Sequence, residues 1–206
     1  MGSVKFFVAL EPFETVLRIY WRTFMWYHLC IKDREVLTME FQKLVTERFS
    51  VLEYERRDVA PELVQTILEA GLPAPTACNF QPQRIKVIQS DADRAALSRV
   101  VSSRYDVPLA FLVCYDRRAC WIRPMDGKSS GDIDAAIVTT HMMLQATELG
   151  LGSIWVMYWD PAKMKQEFSL SEDLEPVALL IVGHKSPEAA PRKGHCISKS
   201  LEEVLI

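Results

Sequence analysis

The sequence has no C-x-x-C pair, and its five cysteines, Cys30, Cys78, Cys114, Cys120 and Cys196, stand singly and are odd in number. That argues against a disulfide framework or a structural zinc site, and it fits a reducing cytoplasm. Histidine is scarce: there are four, with no H-E-x-x-H, so a histidine-built metal site is not expected. There is no excess of positive charge either, since 24 basic residues face 27 acidic ones for a net charge of -3. Nucleic-acid binding through a broad basic surface is therefore not expected, although a local pocket for one phosphate remains compatible. Internal repeats and low-complexity segments are absent.

A long uninterrupted apolar run is also missing. The most apolar stretch, residues 4–31, is broken by Glu11, Glu14, Arg18 and Arg22. A membrane span needs about 20 predominantly apolar residues. The stretch also lacks the basic start, clean apolar segment and small-residue cleavage site of a signal peptide. Residues 1–38 thus read as an atypical extension to a domain spanning 39–206. Two readings of it are open. It is an amphipathic arm that packs on a partner, or it is not part of the natural protein. The codons of Arg34, Glu35 and Val36 can read AGG GAG GTG, which resembles a bacterial ribosome-binding site ahead of a start at Met39.

What is present is a balanced globular composition, 49% apolar and 25% charged over 206 residues, enough for one domain with a real core. From Met39 the pattern becomes regular. Phe41, Leu44, Val45 and Phe49 have helical spacing. A second helix runs through "DVAPELVQTILEAGL", with Asp58 as its cap, Pro61 in its first turn and Gly71 at its end. "RIKVIQ" alternates like a strand, and "ADRAALSRVVSSRY" is helical. "PLAFLVCYD" and "EPVALLIVGH" are continuous apolar runs, as buried strands require. "GDIDAAIVTTHMMLQATELGLG" is a helix capped by Asp132 and stopped by Gly150, apolar nearly all round and so buried, possible ground for a contact between two subunits. "PAKMKQEF" is a further helix, and the tail ends in a short helix or strand. Helices and strands intermix, so the class is α+β or α/β.

Two familiar motifs are weak in context. "GKSSG", Gly127–Gly131, matches the G-x-S-x-G of serine hydrolases, but Pro124 interrupts the approach that a strand would need. A serine hydrolase is kept only as a remote alternative. A phosphate loop fails because Ile122 stands where its first glycine belongs.

"PTACNFQPQ", residues 75–83, carries two candidate amides, Asn79 and Gln81, beside small polar residues. Amides supply donor and acceptor without charge, which suits the polar edge of a flavin ring. The phosphate of FMN would need cations or backbone N–H groups elsewhere. "ERFS" offers Arg48 and Ser50 two residues apart. Each signal is weak alone.

Taken with "GDIDAAIVTTHMMLQATELGLGSIWVMYWDP", "LEPVALLIVGH" and "KSLEEVL", these blocks make residues 39–206 resemble the FMN-dependent nitroreductase family. The resemblance implies an α+β fold, with a central, mostly antiparallel sheet flanked by helices in an intertwined homodimer. It also implies two FMN sites at the subunit interface. The cofactor would take hydride from NADH or NADPH and pass electrons to a nitroaromatic, quinone or similar acceptor in a ping-pong cycle. Arg48, Phe49 and Ser50 match the phosphate and ribityl segment. Pro75, Thr76 and Asn79 match the family's Pro-Ser-x-x-Asn, with Thr76 in the serine's place, and Gln81 follows. These loop residues would come from one subunit and Arg48 from the other. Trp155, Val156 and Met157 match the place where backbone N–H groups approach the flavin. No protein residue is expected to be catalytic, because the cofactor carries the chemistry.

Two departures bear on the phosphate. Leu52 stands where the family commonly has a second basic residue, and Ser198 stands where it has an arginine, followed by Lys199. Lys199, Arg192 or Lys193 is expected to compensate. Otherwise the bland readings hold: His141 as a satisfied core histidine, Met142, Met143 and Met157 as core fillers, Cys78 as packing, and Trp155, Tyr158 and Trp159 as dimer core. The expected protein is a cytoplasmic FMN-binding homodimer without nucleic-acid or membrane partners. A flavin-binding store or sensor without turnover is the alternative.

Overall fold

The computed structural model describes residues 40–101 and 107–206. They belong to one compact unit, Met39–Ile206. The expectations for residues 1–38 lie outside the described residues.

Four strands form one antiparallel sheet: β1 (Gln83–Ile88), β2 (Leu109–Asp116), β3 (Gly152–Val156) and β4 (Leu174–Gly183), in the order β1-β2-β4-β3. The central strands β2 and β4 are the two continuous apolar runs, because both of their faces are covered. Their register pairs Leu109 with Val182 and Phe111 with Leu180, and it shifts by one residue between Val113 and Cys114. That β-bulge sets Cys114 opposite Pro176, which has no N–H to donate.

Helices cover both faces. On one side lie α2 (Pro61–Gly71) and the long α4 (Gly131–Glu148). They pack Ile67, Val138, Met142 and Ala146 against Leu109, Phe111, Leu180 and Val182. On the other side lie α3 (Asp91–Ser98) and α5 (Pro161–Glu167). There Leu97 and Met164 meet Ala110, Leu112, Leu179 and Ile181. Each of these large side chains contributes roughly 1.5–3 kcal/mol by leaving water. The class is α+β. A short α1 (Phe41–Glu47) leads in, and α6 (Leu201–Val204) closes the chain with a reciprocal Ser200–Glu203 capping box.

Helix starts differ from the sequence reading at two places. Ala60, not Asp58, is the N-cap of α2, and it offers no side-chain acceptor. Pro61 at the first position makes a cap less necessary, since its N–H is missing anyway. Asp58 instead lies 3.5 Å from Arg94. Ser130 precedes α4, and Asp132 is an exposed first-turn residue rather than a cap. The stop is as expected: Gly150 follows the helix with φ +76°. α4 is buried on one side only within the chain, and Ile133 on its other side is 55% exposed.

Two further features position the site. β3 is an edge strand that the sequence reading did not mark as a strand. The chain from Ser50 runs along it: Ser50 bridges Ser153 in parallel, and the Val51 N–H donates to the Ser153 carbonyl at 3.0 Å. The same stretch then meets the end of β4, where the Glu55 N–H donates to the His184 carbonyl at 2.9 Å.

Candidate functional site

Six of the predicted residues line three recesses: Phe49 and Ser50 the first, Pro75 and Thr76 the second, Trp155 and Met157 the third; Arg48, Asn79, Gln81, Val156 and Lys199 line none of them. The first, about 240 Å³, is lined by Phe49, Ser50, Leu52 and Arg192, with Glu53 and Glu188 on its wall. Arg48 ends α1 in extended conformation, its N–H donating to the Leu44 carbonyl at 3.2 Å. A lysine and a histidine flank the Phe49 ring. Lys185 Nζ lies 6.0 Å from its ring centroid, and the His195 ring stands edge-on at 6.2 Å. Among the described residues no ion pair holds Arg48, Lys185, Arg192 or Lys199. Lys199 is exposed.

The second recess, about 310 Å³, is lined by Pro75, Thr76 and Ala77 together with Trp121, Ile133 and Ile137. The loop that forms it is held in an uncommon conformation. Cys78, Asn79 and Gln81 have φ of 50°, 56° and 50°, a left-handed region that costs a residue other than glycine energy unless its surroundings hold it there. Thr76 Oγ1 accepts the Gln81 N–H at 3.0 Å, and the Gln81 amide donates to Asn79 Oδ1 at 3.2 Å. The Ala77 N–H donates to Asp134 Oδ1 at 2.9 Å, and Asp134 also accepts the Ser130 hydroxyl at 2.7 Å. A local hydroxyl and a buried carboxylate on α4 thus fix the loop and leave Asn79 and Gln81 exposed.

The third recess, about 360 Å³, is lined by Trp155, Met157, Trp159, Pro161 and Val177, with Asp132 at its edge. Val156 is buried in the sheet, but Met157 and Tyr158 are 65% and 81% exposed. Among the described residues the N–H groups of Met157 and Tyr158 donate to no protein acceptor. The Trp155 indole N–H is buried without a partner, as is the Ser153 hydroxyl. The Trp159 indole donates to the Val156 carbonyl at 3.1 Å.

The structure therefore brings Pro75, Thr76, Asn79 and Gln81 into one loop and keeps Trp155, Val156 and Met157 at the end of β3. Arg48, Phe49 and Ser50 lie together, with Ser50 bridged to β3. The three recesses share no lining residue.

Several bland readings change. Met157 is not a core filler, because the sheet ends before it. Cys78 is exposed in its left-handed turn rather than packed. His141 is half-buried and makes no hydrogen bond among the described residues. Ser129 lies on the return arm of a hairpin, bridged to Ile122, and its Oγ neighbours include Cys120 Sγ at 3.2 Å, the Gly131 N–H at 3.0 Å and the Tyr115 hydroxyl. That is a turn contact, not a nucleophile beside a histidine.

Cys114, on β2, is buried, and burial pushes its thiol up to about 12. Burial first, and the Asp132 charge second, raise the Tyr115 hydroxyl above its ordinary value, while a hydrogen bond with Ser129 pulls the other way. Asp134 as the loop's anchor was not visible in sequence. An acid in the first turn of a helix reads as a complement to the helix dipole, and its true partner, Ala77, is 57 residues away. Among the described residues no group of three or more His, Cys, Asp or Glu could hold a metal ion, and no helix is long and apolar enough to cross a membrane.

Comparison with known proteins bears on this geometry. The profile of the Nitroreductase family matches residues 45–118 and 110–184. A crystal structure of a nitroreductase family protein from Clostridium difficile 630 is 44% identical, superposes with a TM-score of 0.76, and covers 82% of this chain and 98% of its own. An FMN reductase [NAD(P)H] from Bacillus subtilis is 24% identical over 171 residues, 74% of this chain and 69% of its own. A structure from Exiguobacterium sibiricum, solved in complex with FMN, shares the fold with a TM-score of 0.72 at 19% identity, covering 82% of this chain and 97% of its own. Matched over most of the span from Val45 to His184, on the fold and loops described above, the chain belongs to the nitroreductase family.

Proposed function

We propose that the protein is an FMN-dependent NAD(P)H oxidoreductase that works as a homodimer in the cytoplasm. The observation that carries this reading is the separation of Ser50, Thr76 and Met157 into three recesses with no shared lining residue, with Asn79 and Gln81 exposed on the loop beside the second. One chain then presents two incomplete halves, the anion end at Ser50 and the amide loop at Asn79. A second copy completes each.

The donor set fits FMN. Arg48, Ser50 and unpaired cations near Phe49 suit a phosphate. The exposed amides of Asn79 and Gln81 suit a ring edge that both donates and accepts. The free N–H groups of Met157 and Tyr158 suit acceptor atoms on that ring. When bound, FMN would supply the redox chemistry between NADH or NADPH and an acceptor such as a nitroaromatic or a quinone. The protein's part is to hold the phosphate end with Arg48 and Ser50, aided by Lys199. Pro75, Thr76, Asn79 and Gln81 orient the ring, and the apolar side chains near Trp155 exclude water. Donor and acceptor would use the site in turn. The names of relatives, among them an FMN reductase [NAD(P)H] and an NADH dehydrogenase from Thermus thermophilus, support this class of reaction.

The second reading, a flavin store without turnover, is favoured by Leu52 and Ser198 at positions where the family has cations. Steady oxidation of NADH or NADPH with a quinone, by protein loaded with FMN, tests the choice. Turnover supports the oxidoreductase. A single stoichiometric reduction without turnover contradicts it.

A further inference from the structure

We infer that Lys185 and Arg192, both from the segment after β4, supply phosphate-facing charge that Leu52 and Ser198 do not. This inference rests on the FMN reading above and concerns which residues of this chain complete its anion end.

Three observations point to these two side chains. Arg192 lines the same recess as Phe49 and Ser50. Lys185 Nζ lies 6.0 Å from the Phe49 ring centroid. The Lys185 stem lies close over Gly152: a Cβ placed there would lie 2.7 Å from Lys185 Cγ. Gly152 is next to Ser153, the residue bridged to Ser50. The lysine therefore lies across the start of β3, beside the strand to which the Ser50 segment is tied. Its backbone is bridged to Tyr54, so the segment cannot slide without breaking the sheet edge.

The electrostatic setting agrees. Among the described residues neither Lys185 nor Arg192 has an ion pair, although the carboxylates of Glu53 and Glu188 share the recess wall with Arg192. Glu188 is engaged by the Ser186 hydroxyl. An unpaired guanidinium that shares a recess with a serine hydroxyl, and an ammonium 6.0 Å from the phenyl ring of the same recess, suit an anion by composition. His195 flanks the same ring, with its Nε2 3.4 Å from the Thr46 carbonyl, so it is engaged with the end of α1.

The test compares FMN with riboflavin, which lacks the phosphate. Flavin fluorescence is followed as full-length protein is titrated in. The unsubstituted protein is expected to prefer FMN. Lys185→Met and Arg192→Met are each expected to weaken FMN binding by about tenfold or more, the worth of one charge-assisted hydrogen bond, while riboflavin binding stays the same. Lys185→Arg, which keeps the charge, should retain the preference. Lys163→Met, on the surface of α5, controls for net charge. The inference is overturned if the double variant keeps the original FMN-to-riboflavin ratio, or if both flavins weaken equally, which would mark a structural role. If the unsubstituted protein binds neither flavin, the FMN reading fails and this inference with it.

Discussion

Asp134 on α4 accepts the backbone N–H of Ala77 at 2.9 Å, tying the start of the long helix to the amide loop 57 residues earlier. Asp134 is 2% exposed and also takes the Ser130 hydroxyl. Asp134→Ala would leave two donors without a partner, at a cost of roughly 2–4 kcal/mol. Asp134→Asn keeps an oxygen acceptor and should cost less. Urea unfolding at constant slope measures the difference. Because the loop then loses its anchor, the alanine variant should also bind flavin more weakly than its residual fold predicts.

Gly131 sits against the Tyr115 ring. A Cβ there would lie 2.2 Å from Tyr115 Cδ2, far inside contact distance. Gly131→Ala should destabilise the domain by about 1–3 kcal/mol or more, as overpacking does. In a Tyr115→Ala background the same change should cost clearly less, because the obstacle is gone. A double-mutant cycle by denaturant unfolding reads the coupling.

The cysteines should react very differently. Burial holds the Cys114 thiol up near 12, so almost no thiolate exists at pH 8. Cys78 is exposed. Iodoacetamide at pH 8, followed by peptide mass spectrometry, should label Cys78 and leave Cys114 unmodified in the folded protein. Added FMN should slow labelling of Cys78, whose neighbour Asn79 is an expected ring contact.

Acid should weaken the contact between α3 and α5. Glu167 accepts two hydrogen bonds from Arg99, at 2.9 and 2.6 Å, and the Arg99 hydrogen bond holds its carboxyl below the usual range. A carboxyl lowered in the folded state stabilises above its unfolded pKa, and that contribution is lost as pH falls through the folded value. Melting temperature should therefore drop on acidification below about pH 4.5, the ordinary glutamate range. Glu167→Gln should show a smaller drop, and added salt should mute the difference.

Much of the fold is legible in the sequence because burial leaves a continuous signal. Leu109–Tyr115 and Pro176–Gly183 read as apolar runs since β2 and β4 are covered on both faces. β3 is not legible in that way. It has five residues, begins Gly-Ser and sits at the sheet edge, so neither length nor alternation marks it. Helix caps mislead for a different reason. Asp58 and Asp132 are good cap types, but an ion pair with Arg94 claims one and the entry of the chain at Ser130 displaces the other. At the candidate site, the sequence marks the Arg48–Ser50 segment and the amides of the 75–81 loop as expected contacts. What no local pattern carries is the tertiary placement, namely Asp134 under the loop and Lys185 beside Phe49.

The account rests most heavily on the capacity for FMN. The direct measurement is the visible spectrum of the purified full-length protein, before and after incubation with excess FMN and removal of the unbound portion. The account predicts a yellow protein carrying one FMN per chain. A protein that stays colourless after exposure to FMN would contradict it.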